Sequence, residues 1–255
     1  VIPPWKWSRA ELVLAAGGTL FTIAFANRVF GRSIDAGDYY FPYRDADYLD
    51  VRKGERYGGA AYVPPGTRNG ARLLVYLHGN NDGGMLHGGL GASDTDYDLR
   101  AMVPEGTVVA APSQTVAASG TGLWKGFNLD EFVASVEAAI GANVDRSNVI
   151  LVGHSGAGCT PVGGLLAPLG EILPRLVAVV DVCGSAGYGD LFGKLGEKVP
   201  VRVFYQVGTW SRDFAGFHQG LRGRASFERI DTPAGKNPHS AIVPIAVQKV
   251  LAETV

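Results

Sequence analysis

A chain of 255 residues, 46% apolar and with a formal net charge of −1, can bury one sizeable core. It carries too little charge of either sign to point to nucleic acid or an anionic membrane as its main partner. Glycine is overused, at 36 residues, about twice the usual share, so the backbone must turn tightly or pass close to its neighbours at many points. Two cysteines, Cys159 and Cys183, are too few for a disulfide scaffold and fit no metal-ligand spacing; buried free thiols are expected ahead of a bridge.

The first fifty residues read as an extension on a body that runs from 51 to 255. Lys6 and Arg9 precede an uncharged apolar run over 12–27 that ends in Ala24-Phe25-Ala26, the outline of a signal peptide. Glu11 and the Gly17-Gly18 pair interrupt that outline, and the run is short for a bilayer span. Ser8 and Glu11 have capping-box spacing, so a helix packed on the body is expected, with a membrane- or partner-facing helix as the alternative.

From residue 55 the chain alternates between strand and helix patterns. "RYGGAAYVPPG" reads as a strand ended by Pro64-Pro65, "ARLLVYLHG" as a buried strand stopping at His78-Gly79, and "GTVVAAPS" as another stopping at Pro112. "DTDYD" before the last of these is expected to be an acidic turn or helix start rather than a calcium loop, because the glycine and glutamate spacing is missing. Leu129, Phe132, Val133, Val136 and Ile140 recur at helical intervals, with Asn128 or Asp130 as the cap. "NVILVGHS" is a strand, and "GCTPVGGLLAPLGEIL" is expected to be a glycine-rich helix. "RLVAVVDVCGS", "VPVRVFYQVG" and "RASFERID" are three more strands, and "SAIVPIAVQKVLAE" is a closing helix. Continuous Val/Ile/Leu strands separated by helices imply an α/β fold, with a mostly parallel sheet covered on both faces.

In such sheets ligands bind beyond the carboxyl ends of the strands, so the residues just after each strand carry the information. Those positions hold His78 and the Asn80-Asn81-Asp82 run, Ser155, Asp181, the Thr209-Ser211-Asp213 group, and His239. Ser155 stands in "ILVGHSGAGC". Gly153 two before it and Ala157 two after it are small, which a sharp strand-to-helix turn requires if the hydroxyl is to project into a site. This pattern resembles the nucleophile elbow of the α/β-hydrolase superfamily, usually Gly-x-Ser-x-Gly, with Ala157 in place of the second glycine. The resemblance extends over about 200 residues, from the strand before His78 to the last helix, and the order Ser, Asp, His along the chain matches the superfamily.

The resemblance implies a serine hydrolase without cofactor, acting on carboxylic esters; amide or peptide hydrolysis is the alternative on the same machinery, and a non-catalytic binding protein of the same fold is a more remote one. It implies Ser155 as nucleophile and His239, between the last strand and the last helix, as base. The acid is implied to be Asp213, in "VGTWSRD", with Asp181 at the preceding strand end as the alternative. The oxyanion donors are implied to be the backbone N–H groups of Gly156 and Asn80; the later His87-Gly88-Gly89 has no strand leading into it and is set aside. Trp124, His154 and Asn81 are placed on the substrate side; feruloyl-esterase-like and polyester-depolymerase-like members carry aromatics near the cleft in the region of Trp124 and Phe127, with core packing as the alternative for both. Only "GYGDLFGKLGEKVP" separates the strands ending near Asp181 and Gln206. That is too short for a large cap, so the site is expected to be open. By the same resemblance Cys159 begins the segment after the elbow and Cys183 lies at the Asp181 strand end, which makes the two thiols neighbours.

Overall fold

The computed structural model describes residues 31–44, 50–52, 55–79, 90, 97–113, 123–206 and 214–253. The main sheet has eight strands: β1 (Gly37–Phe41), β4 (Gly59–Val63), β5 (Ala71–Leu77), β6 (Thr107–Pro112), β7 (Val144–His154), β8 (Leu176–Val180), β9 (Val201–Tyr205) and β10 (Ala225–Arg229). A separate short hairpin pairs β2 (Asp50–Arg52) with β3 (Glu55–Tyr57). The strand order in the main sheet is β1-β4-β6-β5-β7-β8-β9-β10. β1 and β4 form an antiparallel arm, and every pairing from β6 to β10 is parallel. The sheet therefore starts at residue 37, ahead of the boundary at 50 that the sequence suggests. The apolar segment 12–27 lies outside the described residues. Among those described, no helix is long and apolar enough to cross a membrane.

Both faces of the sheet are covered, as continuous apolar strands demand. Along β5, Leu73, Val75 and Leu77 point to one core, together with α1 (Leu129–Ile140) and α2 (Ala186–Lys198). Leu74 and Tyr76 point to the other, filled by α4 (Pro238–Glu253) through Ile242, Val243, Ala246, Val247 and Val250. A short helix α3 (Phe214–Gly220) packs on α2.

α1 forms where the spacing predicts, and all five periodic residues are buried. Its cap is Asn128, whose Oδ1 accepts from Glu131 N at 3.0 Å. Asp130 instead receives the N–H groups of Glu171 and Ile172, at 2.8 and 2.9 Å. Phe132 sits among Phe41, Tyr43 and Phe127, with ring centroids 5.0–6.1 Å away. Burying a ring of that size contributes about 2–3 kcal/mol. Asp98, in the acidic run, starts a short 3₁₀ turn, Leu99–Ala101, by accepting from Arg100 N at 3.0 Å.

The expected glycine-rich helix after Ser155 does not form. Its place is taken by two 3₁₀ turns, Ser155–Gly158 and Gly164–Leu166. Pro161 and Pro168 each remove a helical donor. Gly164 takes a positive φ of 55°, and its N–H donates to Trp124 O at 3.0 Å rather than along a helix. The expectation of free thiols is also corrected: Cys159 and Cys183 form a disulfide with Cα atoms 5.2 Å apart. The bridge joins the segment after the elbow to the end of β8, so the two thiols are neighbours as the topology implied.

Candidate active site

Ser155 follows β7 directly and adopts φ 53°. Among the described residues four non-glycine side chains have positive φ: Arg44, Trp124, Ser155 and Asp181. Three of them meet at this one edge of the sheet, and such backbone strain concentrates at functional sites. Two glycines make room for the turn. A Cβ on Gly153 would lie 2.5 Å from Leu165 Cγ, and one on Gly79 would lie 2.6 Å from Ser155 Cβ and 3.1 Å from its Oγ. The end of β5 therefore passes directly beside the serine side chain.

His239 is the second residue of α4, not part of a preceding loop. Asn237 starts that helix by accepting the N–H of His239 on Oδ1 at 3.0 Å. Its carbonyl takes the N–H groups of Ser240 and Ala241. With the ring placed this way, His239 Nδ1 donates to Asp181 Oδ2. An imidazole that donates from Nδ1 carries its basic lone pair on Nε2. The Asp181 side chain is fully buried, whereas His239 keeps 19% of its side-chain surface. Asp213, the other carboxylate indicated by the sequence, lies outside the described residues, as do Asn80, Asn81 and His87.

Three further histidine and tryptophan side chains support this edge from below. His154 is buried, and its Nε2 donates to the backbone carbonyl of His239 at 2.8 Å. Its ring centroid is 4.4 Å from that of His239. Burial, reinforced by the nearby His239, pushes the His154 pKa down to about 3, so the ring is a neutral donor near pH 7. His78 is likewise buried and pushed down to about 4 by desolvation, and its Nδ1 donates to Gly79 O at 2.7 Å. Trp124 is fully buried. Its indole N–H donates to His78 O at 2.8 Å, and its ring meets the His78 ring edge-on at 4.7 Å. Trp124 therefore packs in the core, the alternative that the sequence left open, and His154 is buried rather than open on the substrate side; each donates to a backbone carbonyl. Phe127 is also interior, packed on Phe132.

The geometry matches known folds. A putative dienelactone hydrolase from Klebsiella pneumoniae superposes with a TM-score of 0.53 over 87% of this chain and 98% of that one, at 16% identity. Acylaminoacyl peptidase from Pyrococcus horikoshii superposes with a TM-score of 0.52 over 94% of this chain, at 11% identity; this chain spans 43% of that protein's length. Est1E from Butyrivibrio proteoclasticus, solved with ferulic acid, gives 0.50 over 81% of this chain and 98% of that one, at 11% identity. The chain has the α/β-hydrolase fold. No protein-family model and no curated protein matches the sequence.

Within the α/β-hydrolase fold the structure brings Asp181, the second carboxylate that the sequence offers, to His239. Spacing along the chain does not single out Gln206. This residue follows β9, is 1% exposed, and donates its Nε2 to Asp181 Oδ2 at 2.8 Å. The available signal was an amide directly after the buried Val203-Phe204 stretch of "VRVFYQ".

Proposed function

We propose that this protein is a serine hydrolase that cleaves carboxylic esters through a covalent acyl-enzyme. The observation that carries the proposal is the Asp181–His239 hydrogen bond at the strand-end edge where Ser155 sits at positive φ. In this reading Ser155 Oγ attacks the ester carbonyl carbon while its proton passes to His239 Nε2. Asp181 holds the ring in the tautomer that leaves Nε2 basic and stabilises the imidazolium that forms. The acid role thereby passes from Asp213 to Asp181, because a carboxylate at the β8 end already reaches Nδ1.

The tetrahedral oxyanion is held by the N–H of Gly156 and, from the β5 side, by that of Asn80. The close passage of Gly79 beside Ser155 supports that placement. Collapse of the intermediate expels the alcohol, which takes the proton from Nε2. Water then attacks the acyl carbon, its proton going to Nε2, and Ser155 leaves with that proton. Between β8 and β9 the chain has only the helix α2, so no cap from that connection covers the site and a bulky acyl group can approach. Hydrolysis rates on p-nitrophenyl acetate and butyrate against peptide p-nitroanilides test the ester reading. Faster ester cleavage is expected, and preference for the anilides would make the enzyme an amidase.

A further inference from the structure

We infer that Gln206 is a positioning residue for the acid–base pair. The inference rests on the triad reading above for its effect on rate. Gln206 lies at the end of β9, one strand beyond the Asp181 strand, and its amide donates to Asp181 Oδ2, the same oxygen that accepts His239 Nδ1. A carboxylate on a single strand end can pivot about its χ angles, and each pivot tilts the imidazole that leans on it. A second donor from the neighbouring strand fixes which oxygen faces the histidine, and the parallel pairing of β8 with β9 sets the distance between the two side chains. The buried position of Gln206 keeps water from competing for that oxygen. The choice of amide matters: a carboxylate here would put a second negative charge on Asp181, and a cation would compete with His239 for it. Among the described residues, His154 on the His239 carbonyl is a titratable group beside the pair, and His78 acts in turn on His154.

The experiment uses the full chain with Gln206→Met, which keeps length and removes both donors, and Gln206→Glu, which keeps shape and adds charge. For Gln206→Met, kcat on p-nitrophenyl butyrate is expected to fall about tenfold with KM within about twofold, the loss of one hydrogen bond to a charged group. For Gln206→Glu the acid limb of kcat/KM is expected to move up by about one pH unit, because added negative charge favours the protonated base. In a Ser155→Ala background the low-field Nδ1 proton resonance of His239 is expected to shift in both variants, and this reads the contact whether or not hydrolysis occurs. Native kcat and acid limb in folded variants, or an unmoved resonance, overturns the inference. Undiminished hydrolysis by Ser155→Ala instead overturns the triad reading and leaves the resonance to decide the role of Gln206.

Discussion

The two sides of the candidate site are built by different means. On the serine side the backbone does the holding: a positive φ at Ser155, glycines at 79 and 153 that admit close approach, and a disulfide from Cys159 to the end of β8. On the acid–base side the holding is by buried polar side chains, with Gln206 on Asp181, Asp181 on His239, and His154 on the His239 carbonyl. Ser155 and His239 keep partial exposure, while His154, Asp181 and Gln206 are buried. A nucleophile needs its oxygen aimed once, which a strained turn achieves. A base must gain and lose a proton, which calls for fixed partners that respond to charge.

The largest effect should come from breaking the polar side. Asp181→Asn leaves the shape and removes the charge, and an amide that presents its NH₂ to Nδ1 selects the wrong tautomer. A fall of about 10⁴-fold in kcat is expected, measured on p-nitrophenyl butyrate with the fold checked by circular dichroism. The serine side should respond in stability instead. Replacing both cysteines with serine opens a loop that spans 24 positions and is expected to cost about 3 kcal/mol, seen as a lower urea midpoint, with loss of activity because no helix backs the elbow.

Acid sharpens the same contrast. His154 and His78 have pKa values pushed down to about 3 and about 4, below the unfolded value of about 6.5. Between those limits the unfolded chain binds more protons, so the contribution of each is complete above about pH 6.5 and falls as pH drops. About 2 kcal/mol should be lost per histidine from pH 7 to pH 5, and His78→Phe should flatten the urea-midpoint profile. The smallest effect is expected for Trp124→Phe, which removes one donor to His78 O at about 1 kcal/mol; kcat should drop a few-fold with KM steady.

The sheet was legible because β5, β8 and the second half of β7 carry apolar runs rich in Val, Leu and Ile that a doubly covered sheet buries. Ser155 stands out in the sequence because it directly follows a strand pattern, and His239 because it lies between the last strand pattern and the last helix pattern. The segment after the elbow was not legible, since its Leu spacing imitates a helix while Pro161 and Pro168 interrupt one. Asp181 ranked second because the Gly208-Thr209 pair drew attention to the next strand end. Convergence in space is not carried by spacing along the chain, and the contacts of Asp181 with His239 and Gln206 appear only in the fold. Between cleft and core for Trp124 the sequence does not choose, because burial depends on what packs above a residue, and spacing along the chain does not carry that.

The most direct test of the account is covalent labelling of the folded protein with a fluorophosphonate. The account predicts one adduct, on Ser155, absent in Ser155→Ala and formed about 10³-fold more slowly in His239→Ala. Folded protein that stays unlabelled, or that carries the adduct on another residue, would contradict it.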